Sequence, residues 1–176
     1  MKTLISMLNV LDGINEMEQY SKSHIKFIQA SPNEIRQTIK TFHYTHEFPN
    51  RATHCFAVMD QEEVIAALAA GPTEIPEVVE FISHARNPKC QVQMSSFISY
   101  CVGQLSALRK WKIAVSFGEK GNGTIYRACS WNYDGKRKFI NLSPPEEGRF
   151  YLFWKPLLRG HAVLEFAKSI GLRNGN

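Results

Sequence analysis

The 176-residue sequence is poor in cysteine and has no long apolar run, and both features narrow what the protein can be. Its four cysteines, at positions 55, 90, 101 and 129, form no C-x-x-C pair, which argues against a structural zinc site. No apolar run is long enough to span a bilayer. In the absence of a secretory signal, we expect reduced thiols and a cytoplasmic protein.

Internal repeats and low-complexity segments are also absent, and the length suits one domain with a sizeable core. We therefore expect a single domain over residues 1–176, in which the weakly patterned residues 1–22 form an N-terminal extension. The net charge of +5 favours polyanionic partners such as nucleic acid, although many proteins with this charge bind none.

Alternating and helical patterns predict a mixed α/β fold in the order β-α-β-β-β-α-β-α-β-β, followed by a short helix that stops at Gly171. The first helix has a capping-box start, Ser31-Pro32-Asn33-Glu34, and the second is expected to be capped by Ser95 or Ser96. Thr124 can cap the third helix. Strands are expected at residues 24–30, 54–59, 63–70, 78–85, 113–117, 139–142 and 149–154, with a turn at 132–135.

Two regions carry side chains or backbone suited to chemistry. Phe42-His43-Tyr44-Thr45-His46 ends the first helix, where an imidazole or phenol can exchange protons or bind a metal. The loop from Arg86 to Ser96 leads from a strand to a helix N-terminus, whose free amides can hold a pyrophosphate. The alternatives are a polar helix end and a plain connecting loop.

A third region, residues 113–135, runs from a buried strand through Gly118, Gly121 and Gly123 into a short helix. Such strand–glycine loop–helix junctions often bind ligands, because their backbone amides are free and closely approachable. A plain strand–turn–helix connection is the alternative explanation. The basic run at residues 136–138 is typical of a solvated edge and can also contact phosphates.

The order of elements resembles the acetyltransferase-like (GNAT) N-acyltransferase fold, in which the loop after strand four binds the pyrophosphate of coenzyme A. The common loop signature Q/R-x-x-G-x-G/A is missing here, and residues 86–96 contain no glycine. The resemblance implies acetyl-CoA or a related acyl-CoA as donor, with Arg86, Ser95 and Ser96 as candidate cofactor-binding residues.

Several short motifs together resemble the Mom family of bacteriophage DNA-modification proteins, which have this fold and alter adenine in phage DNA so that it resists host restriction. The family's reaction places a carbamoylmethyl group on the adenine N6, with acetyl-CoA and a metal both suggested as requirements. The resemblance covers residues 42–139 and rests on the following pieces in order: Phe42-His43-Tyr44, Glu80, Ser95 with Phe97-Ile98, Val115-Ser116-Phe117, Gly123 to Ala128, and then Trp131, Tyr133 and Gly135.

The Mom resemblance implies catalytic roles for Tyr44 and Tyr126, which match active-site tyrosines, for His43 beside Tyr44, and for Ser116. The family's aspartate after the Ser-aromatic pair is missing, and Glu119 is the candidate substitute. Its strand-four Glu-x-x-Arg reads Glu80-Phe81-Ile82-Ser83 here, so the arginine is missing, and His84 or Arg86 could replace it.

The expected partner is double-stranded DNA, in the host cytoplasm if a phage encodes the protein. Because the adenine amine is buried in the duplex, the base must be flipped out before it can react. The residues expected to stack on the base or grip the phosphates are Lys120, Arg127, Trp131, Lys136, Arg137 and Lys138.

Two other functions remain open on this sequence. One is an acyl-CoA-dependent acetyltransferase acting on a small amine or a protein, which an acidic or narrow cleft would favour over DNA modification. The other is a non-catalytic binding protein on the same fold, which a blocked cleft between strands four and five would favour. The aromatic-rich last strand, Arg149 to Trp154, is either core or the edge of a homodimer.

Overall fold

A computed structural model of the protein describes residues 24–119, 123–135 and 150–173, apart from the side chains of Glu119 and Phe150. The strands are β1 (Ile25–Ala30), β2 (His54–Asp60), β3 (Glu63–Pro72), β4 (Val78–Arg86), β5 (Ile113–Glu119), β6 (Asn132–Gly135) and β7 (Phe150–Pro156). The helices are α1 (Pro32–Phe42), α2 (Met94–Ala107), α3 (Gly123–Ala128) and α4 (His161–Ser169).

The strands form one seven-stranded mixed sheet in the order β1-β2-β3-β4-β5-β7-β6. Every neighbouring pair is antiparallel except β4 and β5, which are parallel. A parallel pair needs a crossover connection, and here α2 provides it. The mixed α/β architecture expected from the sequence is confirmed.

Strands β4 and β5 pair over only four positions, Val78–Phe81 with Ile113–Ser116, although both strands continue beyond them. In β4 the register against β3 shifts just after this point, because Ala69 faces Ser83 and Ala70 faces Phe81. Ile82 is therefore an extra residue, a β-bulge, and bulges bend a strand and redirect its side chains. The sheet consequently has a gap between the carboxyl ends of β4 and β5.

Helices cover both faces of the sheet. Phe97, Ile98 and Leu105 of α2 pack with Tyr126 of α3 in one core cluster, together with Val79 and Phe81 of β4. On the other face, Ile35 and Ile39 of α1 pack against β2, β3 and the end of β4. The neighbouring core joins Val163 and Ala167 of α4 to Val78, Ile113 and Val115. The gap between β4 and β5 is thus flanked by α2 and α3 on one face of the sheet, and by α1 and α4 on the other face.

The capping box of α1 forms as expected, with the Ser31 side chain accepting from the Glu34 amide and the Glu34 carboxylate accepting from the Ser31 amide. The start of α2 differs, because Gln93 is its N-cap, makes no side-chain capping bond, and leaves Ser95 and Ser96 in the first turn. Thr124 is likewise inside α3, which begins at Gly123. Neither Ser95, Ser96 nor Thr124 is therefore an N-cap.

One expectation about the C-terminal third is wrong: residues 132–135, expected to be a turn, form the edge strand β6. Of the two alternatives for the aromatic-rich last strand, the structure shows the core one, because β7 lies between β5 and β6. The strand expected at 139–142 and the extension expected at 1–22 lie outside the described residues. No helix in the described part of the chain is long and apolar enough to cross a bilayer.

Candidate functional site

The gap between β4 and β5 has a cavity on each side. The first cavity, of about 420 Å³, is lined by His84, Arg86, Met94, Ser95, Thr124, Ile125 and Ala128. These residues come from the end of β4, the N-terminus of α2 and the short helix α3. Among the residues that the structure describes, the lining contains one arginine and the first turn of α2, and no carboxylate. Unpaired amides at a helix N-terminus favour negative charge, so this cavity suits an anionic group.

The second cavity, of about 360 Å³, lies on the α1 side of the sheet. Its walls are the segment that follows α1, the bulged middle of β4, and Phe117 of β5. The lining residues are His43, Tyr44, Thr45, Glu47, Phe48, Pro49, Asn50, Arg51, Glu80, Phe81, Ile82, Ser83 and Phe117. This cavity contains two carboxylates, one arginine and several aromatic rings, so it differs in charge from the first.

The bulge at Ile82 allows one strand to line both cavities. Side chains normally alternate along a strand, which would place residues two apart on the same face. Because Ile82 is inserted, Glu80 and Ser83 both line the second cavity, whereas His84 and Arg86 line the first. The gap and the two-sided lining therefore have the same structural cause.

Glu80 is the most deeply placed charged group of the second cavity, with its side chain 9% exposed. Its carboxylate forms an ion pair with the guanidinium of Arg51, which also donates to the Pro72 carbonyl at 3.1 Å. Burial raises the pKa of Glu80, while the charge of Arg51 and its hydrogen bond act in the opposite direction. Glu80 is thus paired with an arginine from a distant position in the chain, Arg51, whereas His84 and Arg86 line the first cavity.

His43 and Tyr44 lie together in the second cavity, with ring centroids 4.4 Å apart. His43 is 8% exposed, and burial, together with His84 and His46, lowers its pKa to about 4. The Thr45 amide donates to His43 Nδ1, so we assign the proton of the neutral ring to Nε2. Tyr44 is 56% exposed and forms the rim of the cavity.

Ser116 and Tyr126 lie at the start of the gap, next to residues of both cavities. The centroid of the Tyr126 ring lies 6.1 Å from that of the His84 ring in the first cavity. The Ser116 hydroxyl donates at 3.1 Å to the carbonyl of Phe81, its partner in the last paired position of β4 and β5. Since that proton is committed, the Tyr126 hydroxyl must donate to Ser116 Oγ, at 2.6 Å. Tyr126 is fully buried, and burial raises the pKa of its phenol, so it holds its proton.

The glycines of the strand–loop–helix junction serve packing. A Cβ built at Gly118 would lie 3.1 Å from the Tyr126 ring, and one at Gly123 would lie 2.9 Å from the Phe153 ring. The ring of Tyr126 in turn stacks on Phe153 at 5.0 Å. The two glycines therefore let Tyr126 lie tightly against the sheet, which agrees with the plain strand–turn–helix connection that sequence analysis had kept open beside ligand binding.

The structure brings together some of the predicted site residues and separates others. His43 and Tyr44 share the second cavity, Ser116 and Tyr126 share a hydrogen bond, and Arg86 and Ser95 line the first cavity. Ser96 is exposed and lines neither cavity. Glu119 is the last residue of β5, but its side chain is not described.

The predicted nucleic-acid contacts are only partly described. Arg127 is exposed, with its guanidinium 5.4 Å from the centroid of the Tyr133 ring. Trp131 is only 5% exposed and packs against Phe81 and Tyr126, so the expectation that it stacks on a base is wrong. Lys120, Lys136, Arg137 and Lys138 lie outside the described residues.

Sequence reasoning missed the pairing of Arg51 with Glu80, which are 29 residues apart and share no motif. It also missed the bulge, because Ile82 sits in an apolar strand pattern that carries no sign of an extra residue. Among the described residues, no three His, Cys, Asp or Glu side chains are grouped closely enough to hold a metal ion.

Comparisons with known proteins show the fold. No protein-family model and no curated protein matches the chain by sequence. Solved GNAT structures do match: an acetyltransferase from Elizabethkingia anophelis with acetyl-CoA bound has a TM-score of 0.56 at 15% identity, covering 77% of this chain and 99% of its own. The ribosomal-protein alanine N-acetyltransferase of Escherichia coli has a TM-score of 0.58 at 10% identity, covering 78% and 97%.

A third similar structure is a variant of the spermidine N-acetyltransferase of Vibrio cholerae, with a TM-score of 0.56 at 12% identity, covering 76% of this chain and 94% of its own. The chain therefore has the GNAT acetyltransferase fold, as its element order predicted. None of these structures is a DNA-modification protein.

Proposed function

We propose that the protein is an acyl-CoA-dependent N-acyltransferase that acts on a small amine or on an amine of a protein. The observation that carries this proposal is the gap between β4 and β5. On one face it meets a cavity whose described lining has no carboxylate, and on the other face a cavity that bears two. An anionic donor and a cationic acceptor can thus approach one point from opposite sides of the sheet.

The first cavity suits the donor. Its volume of about 420 Å³ lies within the usual range for ligand sites, roughly 300–1,000 Å³. Arg86 and the first turn of α2, including Ser95, would hold a pyrophosphate, although the loop before them lacks the usual glycines. Acyl-CoA supplies an acyl group activated as a thioester. The GNAT neighbour with acetyl-CoA bound supports this choice of donor.

The second cavity suits an amine. Glu47 and Glu80 face a single Arg51, which is already paired, and His43 is neutral at pH 7. The described part of the lining therefore has no net positive charge with which to attract a phosphate. Tyr44 and Phe48 offer aromatic faces, which also favour cations. This acidic balance is the feature expected for an acetyltransferase of small or protein amines.

Two groups at the gap can move the protons that N-acylation requires. A bound ammonium ion first releases one proton to solvent, because only the neutral amine is a nucleophile. When the amine attacks the thioester carbon and the C–N bond forms, it loses a second proton, and Glu80 is the carboxylate in the second cavity best placed to accept it. The C–S bond breaks and leaves a thiolate, which needs a proton. The Tyr126 hydroxyl, held protonated at the start of the gap, is the candidate donor.

A second candidate function is modification of adenine N6 in double-stranded DNA. The exposed ring of Tyr44, supported from behind by His43, resembles a platform on which a flipped base could stack. The net charge of +5 is compatible with DNA binding. The acidic balance of the second cavity argues against it, so we rank this function below acylation of other amines.

The test is one assay with three classes of acceptor. Purified protein and acetyl-CoA are incubated with polyamines, with lysine-bearing or free-N-terminus peptides, and with duplex DNA, while release of free CoA thiol is followed. Acceptor-dependent thiol release with an amine supports the first proposal. An adenine adduct, detected by mass spectrometry of digested DNA, would instead establish the second. If acetyl-CoA does not bind, a non-catalytic protein on this fold becomes the better explanation.

A further inference from the structure

We propose that Arg51 is the positioning residue of the acceptor cavity: its backbone is seated over Gly71, and its guanidinium holds the Glu80 carboxylate in the orientation of a base. This inference rests on the proposed function, because it assumes that Glu80 accepts the acceptor's proton. It assigns a specific role in the reaction to a residue that contacts neither cofactor nor reacting atoms.

The first support is the backbone of the segment that carries Arg51. Gly71 of β3 lies directly opposite Glu80 of β4. A Cβ built at Gly71 would fall well inside contact distance of the Arg51 carbonyl. The next residues are also tied to β3, since the Thr53 amide donates to the Ala70 carbonyl at 2.9 Å. The missing side chain at Gly71 thus lets the chain cross β3 beside the Glu80 carboxylate.

The second support is the side chain of Arg51. One guanidinium nitrogen donates to the Pro72 carbonyl and the other donates to Glu80. A planar guanidinium that bridges two acceptors fixes both its own orientation and that of the carboxylate it contacts. Lysine, with a single nitrogen, cannot bridge the two acceptors in the same way.

Burial is the largest influence on the pKa of Glu80, and among the charged groups around it Arg51 has the largest effect. Among the described residues, the other titratable groups around it are His43, Tyr44 and Glu47 in the same cavity and Tyr126 from α3. His43 is neutral above about pH 4, and Tyr126 holds its proton. The strand neighbours of Glu80, Gly71 and Val115, carry no charge.

The activity test compares Arg51→Met and Arg51→Lys with the wild type in kcat/KM against pH. An opposite charge at contact lowers a carboxyl pKa by about 1–3 units, and the partial exposure of Arg51 places the effect at the low end. In Arg51→Met we expect the acid limb of the pH profile to move up by about one unit, because Glu80 loses its opposite charge. We also expect kcat at pH 7 to fall at least about tenfold, because the base is no longer held in position. Arg51→Lys should restore the position of the limb while kcat stays reduced, and the exposed Arg159→Met is the control.

A second measurement needs no activity. Unfolding free energies of the wild type, Arg51→Met, Glu80→Gln and the double variant form a cycle, measured at pH 4.5 and 7.5. A carboxyl whose folded pKa is raised destabilises the protein as pH rises, so loss of Arg51 should cost more at pH 7.5 than at pH 4.5. In the Glu80→Gln background this difference should vanish.

The outcomes separate the two proposals. If wild-type protein acylates an amine but the acid limb does not move in Arg51→Met, the role of Arg51 is wrong and the function stands. The role of Arg51 is also wrong if Arg51→Met changes the free energy of unfolding by the same amount whether residue 80 is Glu or Gln. If the wild type acylates no amine, the proposed function fails, whatever the cycle shows.

Discussion

Removing one hydroxyl, in Tyr126→Phe, is expected to abolish acyltransfer while leaving the fold intact. The Tyr126 ring keeps its packing, because it stacks on Phe153 at 5.0 Å and contacts Trp131 at 4.9 Å through carbon atoms. Only the hydrogen bond to Ser116 Oγ is lost, and Ser116 keeps its own bond to the Phe81 carbonyl.

The expected loss of stability is small. A typical intramolecular hydrogen bond contributes about 0.5–1.5 kcal/mol, and the Ser116 oxygen left behind still participates in one bond. For a protein of this size, about 1 kcal/mol lowers Tm by roughly 2–4 °C. Truncation of the whole ring, in Tyr126→Ala, would cost about 3–5 kcal/mol because it leaves a cavity in the core.

The expected loss of activity is much larger. A positioned proton donor typically increases the rate by about 10²–10⁴-fold, so kcat should fall by a factor in that range. Since Tyr126 does not line the first cavity, affinity for acetyl-CoA should stay close to that of the wild type. The assays are thiol release for kcat, calorimetry for acetyl-CoA, and thermal denaturation for Tm.

Tyr100→Phe is the matched control, because Tyr100 lies in α2, packs on Phe27 and Phe56, and is remote from the gap. It should keep its activity. Wild-type activity in Tyr126→Phe would refute the assignment of the phenol as the proton donor. A fall in Tm as large as that of Tyr126→Ala would refute the structural reasoning, since the ring contacts would then not be enough to hold the site.

Three further predictions follow from the same structure. The pKa of His43 is about 4 in the folded protein and ordinarily 6.5, so as pH falls between these values the unfolded chain takes up a proton before the folded protein does. Denaturation curves should therefore show up to about 3 kcal/mol of stability lost from pH 7 to pH 4 on account of His43. His43→Gln should remove most of this His43 contribution to the pH dependence. In urea denaturation, Gly118→Ala should destabilise the protein by about 1–3 kcal/mol, because the new methyl group presses on Tyr126. Gly103→Ala should stabilise it by about 0.5–1 kcal/mol, because a Cβ there meets nothing within 4 Å. Equal effects of the two variants would contradict the packing argument. Arg86→Glu should weaken acetyl-CoA binding at least about tenfold by calorimetry, and unchanged affinity would exclude the first cavity as the pyrophosphate site.

The local features of the fold could be read from sequence because their causes are local. The capping box at Ser31 and Glu34 depends on residues three apart, and the alternation in β2 and β4 repeats every two residues. Errors at this level were small: α2 begins at Met94, one residue before the earliest expected cap, because its N-terminus makes no side-chain capping bond that the sequence could reveal.

Residues that depend on distant partners could not be placed in this way. Trp131 follows a glycine-rich loop and a short helix, a context that also suits an exposed ring, yet it is buried against Phe81, 50 positions earlier in the chain. Asn132–Gly135 has the composition of a turn and becomes a strand only because β7 provides a hydrogen-bonding edge. Both outcomes depend on which strands become neighbours in the sheet.

The order of strands and helices up to Ala128, the capped start of α1 and the polar groups available for chemistry could be derived from the sequence. The folded sheet was needed to show that Arg51 meets Glu80, that Tyr126 meets Ser116, and that β4 bulges at Ile82 and separates from β5. The difference lies in how far along the chain each interaction reaches. Hydrogen bonds and side-chain periodicity within an element act over a few residues, whereas ion pairs, close packing and strand register join residues that only the folded sheet brings together.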